Sequence, residues 1–416
     1  MKAAILGYGT VGQGIVKILR EEGARLEQAL STTVDIAAIL VRDPKKPRTV
    51  ACPPALLTTD VERILGDPQI QVIFEATSDH RAAVGYIARA LRAGKHVITA
   101  SKAAMASDFA RLQRLARENG VHLRFEAAVA GVIPLIASLS RELAFNEVDR
   151  IRGIMNGSTN YVLTGLFDGR PREQVMREAR AIGILEENPT DDVAGYDARR
   201  KLAILGDMIL GQMVGETAIP CIGIEAIDEV DVRLLQRRGY CVKLVAELRR
   251  GTKNGLPDRA FCASVFPTAL KTDALRNCGG VQNQVLFHSS HGGEIALSGA
   301  GGSMEPTADA MLADLCAVLR ARPVYFPVAE RGLYNASGEQ KSVFYMRGAP
   351  SGRAAERVAA ALAETWLRKE DALVGRGEMT WAEAADLARC GATVIRIGDG
   401  AEGGENEKVS EKISAE

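Results

Sequence analysis

The sequence predicts an α/β chain: an N-terminal doubly wound parallel sheet, then a second α+β unit, then a small C-terminal module. Three observations carry this. A glycine turn, "GYGTVG", joins the first apolar strand to a helical run. Short apolar strands then alternate with amphipathic helices to about residue 134. From about residue 135 that alternation gives way to long helical segments and later strands.

Residues 2–6, "KAAIL", read as the first strand, and "IVKILREEGARLEQAL" as the helix after the turn. Gly7, Gly9 and Gly12 spell GxGxxG in that strand–turn–helix context, with Thr10 and Val11 completing the turn. Gly7 permits the tight turn, Gly9 lets the backbone approach a pyrophosphate, and Gly12 lets helix and strand pack closely. The helix N-terminus adds unpaired N–H groups for phosphates. "VDIAAILV" (34–41), "QVIFEAT" (71–77), "HVITAS" (96–101) and "VHLRFEAAVA" (121–130) read as further strands, with helices "AAVGYIARALRAG" and "DFARLQRLAREN" between them. This is a Rossmann-type pattern, in which cofactors bind at the carboxyl ends of the strands. The second strand runs into "RDPKK". An acid there bonds the ribose hydroxyls of NAD; an arginine meets the 2′-phosphate of NADP. Arg42 comes first, with Lys45 and Lys46 behind and Asp43 as the complication, so the chemistry favours NADP, with NAD still possible.

Residues 135–298 are assigned to the second domain, which includes the strands "CVKLVAEL" and "AFCASVF". "GAGGSMEPTADAMLADLCAVL" opens with a glycine turn before a helix, and 299–330 is read as completing the first domain, 1–134. Residues 340–397 form the small C-terminal module. Residues 398–416 lack apolar periodicity and are predicted to be a disordered tail.

Composition narrows the function. Lys plus Arg and Asp plus Glu are each 52, and this zero balance argues against nucleic-acid or membrane-surface partners. No apolar run reaches the ~18 residues of a membrane span. The seven cysteines are scattered with no CxxC pair, which predicts reduced thiols in a cytoplasmic protein. His288 and His291 are the closest histidine pair, without ligand partners at metal spacing.

The stretch "EENPTDDVAGYDARRK" leads into the greasy helix "LAILGDMIL". In a helix from about Tyr196, residues Ala198, Leu202, Leu205 and Ile209 form one stripe. Lys201 falls inside that apolar arc, and Asp197, four residues earlier, shares its face. An inward lysine is costly unless it is paired or used. Periodicity alone leaves a structural Asp–Lys pair and a working lysine equally open. Asn188-Pro189 marks a turn, so Glu186, Asp191 and Asp192 ride a loop that could meet an ammonium group or simply be wet.

"GILEENPTDDVAGYDARRK" resembles the signature of homoserine dehydrogenases, and "GYGTVG", "GKHVITASKA", "EAAVAGVIPLI", "GIMNGSTNYVL" and "GAGGSMEPTADA" follow the family order over residues 1 to about 320. The resemblance implies NAD(P)-dependent interconversion of L-homoserine and L-aspartate 4-semialdehyde, a step towards threonine, methionine and isoleucine. It implies that Lys201 is the acid–base lysine, that Asp197 and Glu186 hold the substrate hydroxyl and amino ends, and that Asp191 and Asp192 support their loop. Lys102 would be the second lysine, near nicotinamide and substrate. Thr77, Ser101, Gly183 and Gly301 would complete the cofactor pocket. The segment "EAAVAGVIP" resembles the family's sodium loop, with a carboxylate from Glu126 and carbonyls from Val129, Gly131 and Ile133. The second domain would form a homodimer or homotetramer.

Some positions depart from the family. Ser101 stands where Asn is usual, and Val132 where a smaller residue is commoner. Many members end in an ACT regulatory module. Here "SVFYMRGAPSGRAAERVAAALAE" and "TWAEAADLARCGATVIRI" supply its ends, but no segment between them reads as its middle strands, which argues against threonine feedback. No aspartokinase half is present, so the resemblance is to monofunctional members. Two other readings stand beside this one. A related oxidoreductase acting on another semialdehyde or hydroxy acid would differ in substrate. A nucleotide sensor without catalysis would lack Lys102, Asp197 or Lys201, and all three are present.

Overall fold

The computed structural model describes residues 1–302, 304–326, 328, 332–348, 352–369 and 372–398. Residues 399–416, nearly all of the expected disordered tail, lie outside the described residues.

Six strands, β1 (Lys2–Leu6), β2 (Asp35–Leu40), β3 (Leu57–Thr58), β4 (Ile70–Glu75), β5 (His96–Thr99) and β6 (Leu123–Arg124), form a parallel sheet in the order β3-β2-β1-β4-β5-β6. Ala3 to Leu6 and Val72 to Glu75 are buried throughout, as strands covered on both faces must be. The order reverses between β1 and β4, so a crevice opens at their carboxyl ends. The connecting helices are α1 (Thr10–Leu30), α2 (Glu62–Leu65), α3 (His80–Arg92), α4 (Lys102–Glu118) and α5 (Leu135–Glu142).

Two expectations change here. The strand expected over 121–130 stops at Arg124. The Glu126 N–H donates to Asp314 Oδ2 at 2.9 Å, and residues 126–128 coil into a 3-10 turn. A backbone amide diverted to a side chain cannot continue a ladder. The next helix, in turn, begins at Lys102 rather than near residue 108. Ser101 caps it, its Oγ accepting from Ala104 N–H at 3.3 Å, and Asp108 (φ −139°, ψ 20°) breaks it.

The second sheet is built from β7 (Val148–Ile154), β8 (Cys241–Arg250), β9 (Ala260–Leu270), β10 (Gln282–Ser289) and β11 (Gly293–Ala300), with β12 (Tyr334–Asn335) pairing on β9. Helices α6 (Gly157–Phe167), α7 (Arg172–Ala181), α8 (Thr190–Val193), α9 (Tyr196–Leu210) and α10 (Glu229–Gln236) accompany it. The chain then returns to the first sheet. Helix α11 (Met304–Arg320) places Ala308, Met311 and Leu315 in the same core as Ile5, Ile15 and Phe74, and Lys17 pairs with Glu305.

The C-terminal part reads β13 (Lys341–Gly348), α12 (Arg353–Ala361), β14 (Glu364–Lys369), β15 (Ala372–Thr380), α13 (Trp381–Arg389), β16 (Thr393–Gly398). Its strand order is β16-β13-β15-β14, a complete βαββαβ unit. The middle strands that sequence did not reveal are therefore present. Glycines hid them: a Cβ at Gly375 would lie 2.0 Å from the Glu364 carbonyl oxygen, and one at Gly377 1.9 Å from that of Ala361. Glycine depresses a strand pattern, yet here it lets two backbones pass. β16 also pairs in parallel with β9, so module and second domain share one ten-stranded sheet.

Candidate active site

The carboxyl ends of β1 and β4 form a cradle. Gly7 has φ +97°, and a Cβ there would sit 2.6 Å from the Ala76 carbonyl oxygen. A Cβ on Gly12 would meet the Gly7 carbonyl oxygen at 2.2 Å, whereas above Gly9 there is open space. Residue Gly9 caps α1 with no side-chain hydrogen bond, which leaves the first N–H groups, beginning at Thr10 and Val11, to a ligand. A dinucleotide fits this cradle by shape and by charge.

Around it, Glu75 organises the strand ends. It is fully buried; Oε1 accepts from Thr77 N–H at 2.8 Å and from Thr77 Oγ1–H at 2.5 Å, and Oε2 from Thr99 Oγ1–H at 2.6 Å. Burial raises its carboxyl above the usual range, against the pull of these donors. Thr77 is thus held at the rim. Arg42 is exposed at the end of β2. Asp43 is turned away into its own loop, accepting from Lys45 N–H at 2.8 Å. The Arg48 guanidinium donates to the Asp43 and Lys46 carbonyls at 2.7 and 2.8 Å and lies 5.6 Å from the Tyr8 ring centroid.

Across the crevice, helix α9 presents Asp197 and Lys201, both buried. Lys201 Nζ lies 2.7 Å from Asp197 Oδ2 and donates to the Met155 carbonyl at 2.7 Å. Lys102, the first residue of α4, reaches Asp197 Oδ1 at 2.5 Å. One carboxylate therefore lies between two ammonium groups from different domains. Lys201's side chain is 11% exposed and that of Lys102 39%, so Lys102 is the more open of the two. Asn156 completes the group: its Nδ2 donates to Asp192 Oδ1 at 2.7 Å and Asp197 Oδ2 at 3.0 Å, while its Oδ1 caps α6 by accepting Thr159 N–H at 2.8 Å.

The electrostatics follow from this geometry. Burial alone would raise Asp197, but Lys201, Lys102 and Asn156 together hold it far below the usual carboxylate range. Burial pushes the Lys201 ammonium down; Asp197 opposes this and Lys102 adds to it. Lys102 is also desolvated, yet the Asp197 carboxylate keeps it above its ordinary value. Asp192 is raised, chiefly by burial, with Asp197 adding to it.

The structure brings Lys102, Asp192, Asp197 and Lys201 together. It leaves Glu186 exposed on the loop before α8 and Asp191 exposed on α8 itself, where a loop was expected for Asp191 and Asp192; Asp191 pairs with Arg200 at 3.3 Å. Gly183 (φ +74°) opens that loop, and Ser158 Oγ donates to the Ile184 carbonyl at 2.9 Å, tying the loop to the start of α6. The Gly301 turn lies over the same helix end: a Cβ at Gly301 would be 3.7 Å from Gly157 Cα. A Cβ at Gly131 (φ +66°) would be 2.7 Å from the Ala300 carbonyl oxygen. Ser101, buried, serves as the cap of α4, directly before Lys102.

In the cation loop, two of the four named residues also serve as hydrogen-bond acceptors within the chain, Glu126 and Ile133. Both Glu126 carboxylate oxygens are committed to the N-terminus of α5, accepting Ile136 N–H at 2.7 Å and Ala137 N–H at 2.9 Å. The Glu126 and Ile133 carbonyls receive Val129 N–H (3.3 Å) and Leu135 N–H (2.7 Å). Among the described residues, only the Val129 and Gly131 carbonyls of this set accept no hydrogen bond. The Glu126 carboxylate therefore ties this loop to the start of α5. No group of His, Cys, Asp and Glu among the described residues could hold another metal, and no helix there is long and apolar enough to cross a membrane.

Sequence reasoning missed Asn156, Glu75 and the Met155 carbonyl. Asn156 had a signal, a capping residue directly ahead of a helix. A backbone acceptor such as Met155 leaves none.

Comparison with known proteins agrees with this geometry. Residues 134–316 match the family model described as homoserine dehydrogenase, and residues 7–126 match that of the homoserine dehydrogenase NAD-binding domain. The chain is 35% identical over 323 residues to the homoserine dehydrogenase of Bacillus subtilis (strain 168), covering 77% of this chain and 73% of that protein. It is 36% identical over 317 residues to that of Synechocystis sp., covering 76% and 72%. A crystal structure of a homoserine dehydrogenase from Thiobacillus denitrificans superposes with a TM-score of 0.81 at 27% identity, covering 96% of this chain and 98% of that one.

Proposed function

The chain belongs to the homoserine dehydrogenase family, and from that premise we propose how its residues divide the work. The activity is the NAD(P)-dependent interconversion of L-homoserine and L-aspartate 4-semialdehyde, in the synthesis of threonine, methionine and isoleucine. The observation that carries the division is the Lys102–Asp197–Lys201 cluster facing the glycine cradle.

When bound, the nicotinamide accepts or supplies the hydride. Everything else falls to the chain. Reduction of the aldehyde builds negative charge on its oxygen, and Lys201 meets that charge with a proton; in oxidation the same amine takes the hydroxyl proton. Burial lowers the Lys201 ammonium towards the range where it can do both. Asp197 aims Lys201 and, with Glu186, receives the substrate's polar ends. Lys102 stays charged beside Asp197 and adds a positive field at the mouth of the site. Asp191, Asp192 and Glu186 supply negative charge for the substrate ammonium, with Asn156 fixing the position of Asp192.

The pyrophosphate rests over Gly9 and on the start of α1 at Thr10, Val11 and Gly12. Thr77, Ser101 and Lys102 line the nicotinamide side, with Gly183 and Gly301 closing it. NADP is the preferred cofactor and NAD the alternative, because Arg42 is open to solvent while the Asp43 carboxylate is engaged in its own turn. Two further readings belong to the proposal. The carbonyls of Val129 and Gly131 are what supports an ion at the cation loop, and no step passes through it. A cytoplasmic homodimer or homotetramer, joined through the second domain, suits a protein whose seven cysteines are free thiols.

The test is a spectrophotometric assay of nicotinamide reduction by purified protein. L-Homoserine is offered with NADP and separately with NAD, against L-threonine and L-serine. Homoserine-dependent reduction, faster with NADP, is expected. Reduction that follows L-serine or L-threonine instead would move the site reading to another hydroxy amino acid.

A further inference from the structure

The C-terminal βαββαβ module is more than an appendage to the second sheet. It grips residues 222–231, the segment on which the acid loop of the active site is seated. The module side of the contact is polar and largely buried. Arg347 on β13 donates through Nε to Asp231 Oδ1 at 2.6 Å, and through Nη2 to Asp231 Oδ2 and Asp228 Oδ2, both at 2.8 Å. Tyr345 OH adds a bond to Asp231 Oδ1 at 2.7 Å, and Asp231 is completely buried. The Ala226 carbonyl accepts twice, from Arg347 Nη2 at 3.2 Å and from Thr393 Oγ1 on β16 at 2.9 Å.

The other side of the same segment holds the C-terminal end of the active-site loop. Ile224 N–H donates to the Val193 carbonyl at 2.7 Å, directly after Asp192. Cys221 Sγ lies 3.3 Å from the Ala194 carbonyl, which it meets as donor. Gly223 passes so close that a Cβ there would lie 2.2 Å from the Val193 carbonyl oxygen. Arg172, the first residue of α7, ties the start of the helix that precedes the loop to the same segment, donating to the Ile224 and Ile227 carbonyls at 3.0 and 2.8 Å. The end of the acid loop, Val193 and Ala194 directly after Asp192, is thus anchored on one short stretch of backbone, and the module holds that stretch from behind.

We propose that Arg347 and Thr393 are positioning residues for the substrate side of the active site: through Ala226 and Asp231 they set where residues 221–224 stand, and so where Asp192 meets L-homoserine. The inference rests on the reading of that loop as the homoserine subsite. The nucleotide cradle, built on β1, β4 and α1, has no part in this path. Loosening the grip therefore changes one substrate's binding and not the other's.

The experiment compares Thr393→Val, Thr393→Ser and Arg347→Gln with the parent enzyme, with Asp192→Asn as the control for the loop. KM for L-homoserine, KM for NADP and kcat are measured for each. Thr393→Val keeps the side chain's shape and removes one bond to Ala226, so it is expected to fold. It raises the homoserine KM about threefold, part of the factor one hydrogen bond represents, and leaves the NADP KM unchanged. Thr393→Ser restores the parent value, and Arg347→Gln, where it folds, raises homoserine KM further. If Asp192→Asn raises the homoserine KM but Thr393→Val does not, the positioning role is overturned while the loop reading stands. If neither variant changes it, the loop reading fails and the inference with it. An equal rise in both KM values for Thr393→Val, or a fall in melting temperature alone, also overturns the positioning role.

Discussion

Replacing Asp197 by asparagine keeps the shape of the site and removes the one negative charge between two lysines. Asp197 meets Lys102 at 2.5 Å and Lys201 at 2.7 Å, and Asn156 donates to it at 3.0 Å. Lys102 can turn towards water, whereas Lys201 cannot: its side chain is 11% exposed and its other partner is the neutral Met155 carbonyl. Stripping one partner from a buried ion pair costs about 3–5 kcal/mol, because the remaining charge is left unpaired. That cost falls on the charged form of Lys201, which sheds it by losing its proton. At about 1.4 kcal/mol per pH unit, even a third of the loss moves the titration by about one unit towards acid. The assay is kcat against pH in both directions, followed by the absorbance of reduced nicotinamide, with melting temperature recorded alongside. Semialdehyde reduction needs the lysine protonated, so its alkaline limb moves to lower pH and its rate above that limb falls by about tenfold for each unit of the shift. Homoserine oxidation, which needs the amine neutral, loses less. Equal losses in both directions with an unmoved limb would refute this reasoning and leave Asp197 as a substrate contact only.

Other expectations follow from the same geometry. Lys201→Ala lowers kcat by about two orders of magnitude or more while leaving the cofactor Kd nearly unchanged, since its work is in the transition state; fluorescence titration with NADPH checks this, and an equal loss of binding contradicts it. Arg42→Ala weakens NADPH and hardly alters NADH, and an unchanged ratio of the two kcat/KM values would remove the 2′-phosphate role. Asp207 is wholly buried and bonded only through one oxygen, to Val214 N–H at 2.6 Å, and burial pushes its carboxyl from 3.8 up to about 7. The folded state then holds a proton that the unfolded state has lost, so this group's stabilisation is complete below about pH 4 and declines as pH rises to about 7. Asp207→Asn flattens that part of the pH–stability curve in denaturant melts; a slope unchanged by the substitution would show that the carboxyl is ionised throughout.

What was legible in sequence depended on how local the cause was. Gly7, Gly9 and Gly12 were readable because a short strand–turn–helix pattern carries them: Gly7 needs its positive φ for the turn, Gly12 passes the Gly7 carbonyl, and Gly9 answers to the ligand. The Asp197–Lys201 pair was readable because helical geometry alone brings i and i+4 together. That Lys102 shares the same carboxylate was not, since only the packing of α4 against α9 brings the two domains' lysines to one point. Asn156 shows the intermediate case: its capping role could be read, but its second role as a bridge between Asp192 and Asp197 could not. Glu126 shows the converse. A carboxylate in a family-like loop suggested an ion ligand, and its bonds to the first N–H groups of α5 had no mark in the sequence.

The parallel pairing of β16 on β9 sets a limit on how this protein can be cut. β9 runs for 11 residues, Ala260–Leu270, and every one of them is buried. On one side it has β8; on the other, Cys221 pairs with Val265 at its centre, while its two ends depend on β12 and β16, both supplied from beyond residue 330. A shortened chain ending after α11 would keep every residue assigned to catalysis and still expose the flank of an apolar strand. Bare strands of that kind recruit other strands, and the first partner available at working concentration is the same strand of another copy. A minimal enzyme built by trimming is expected to self-associate, which size-exclusion chromatography would register. Bringing it into solution requires charged residues along the stripped flank of β9, or a replacement strand, and not a shorter boundary.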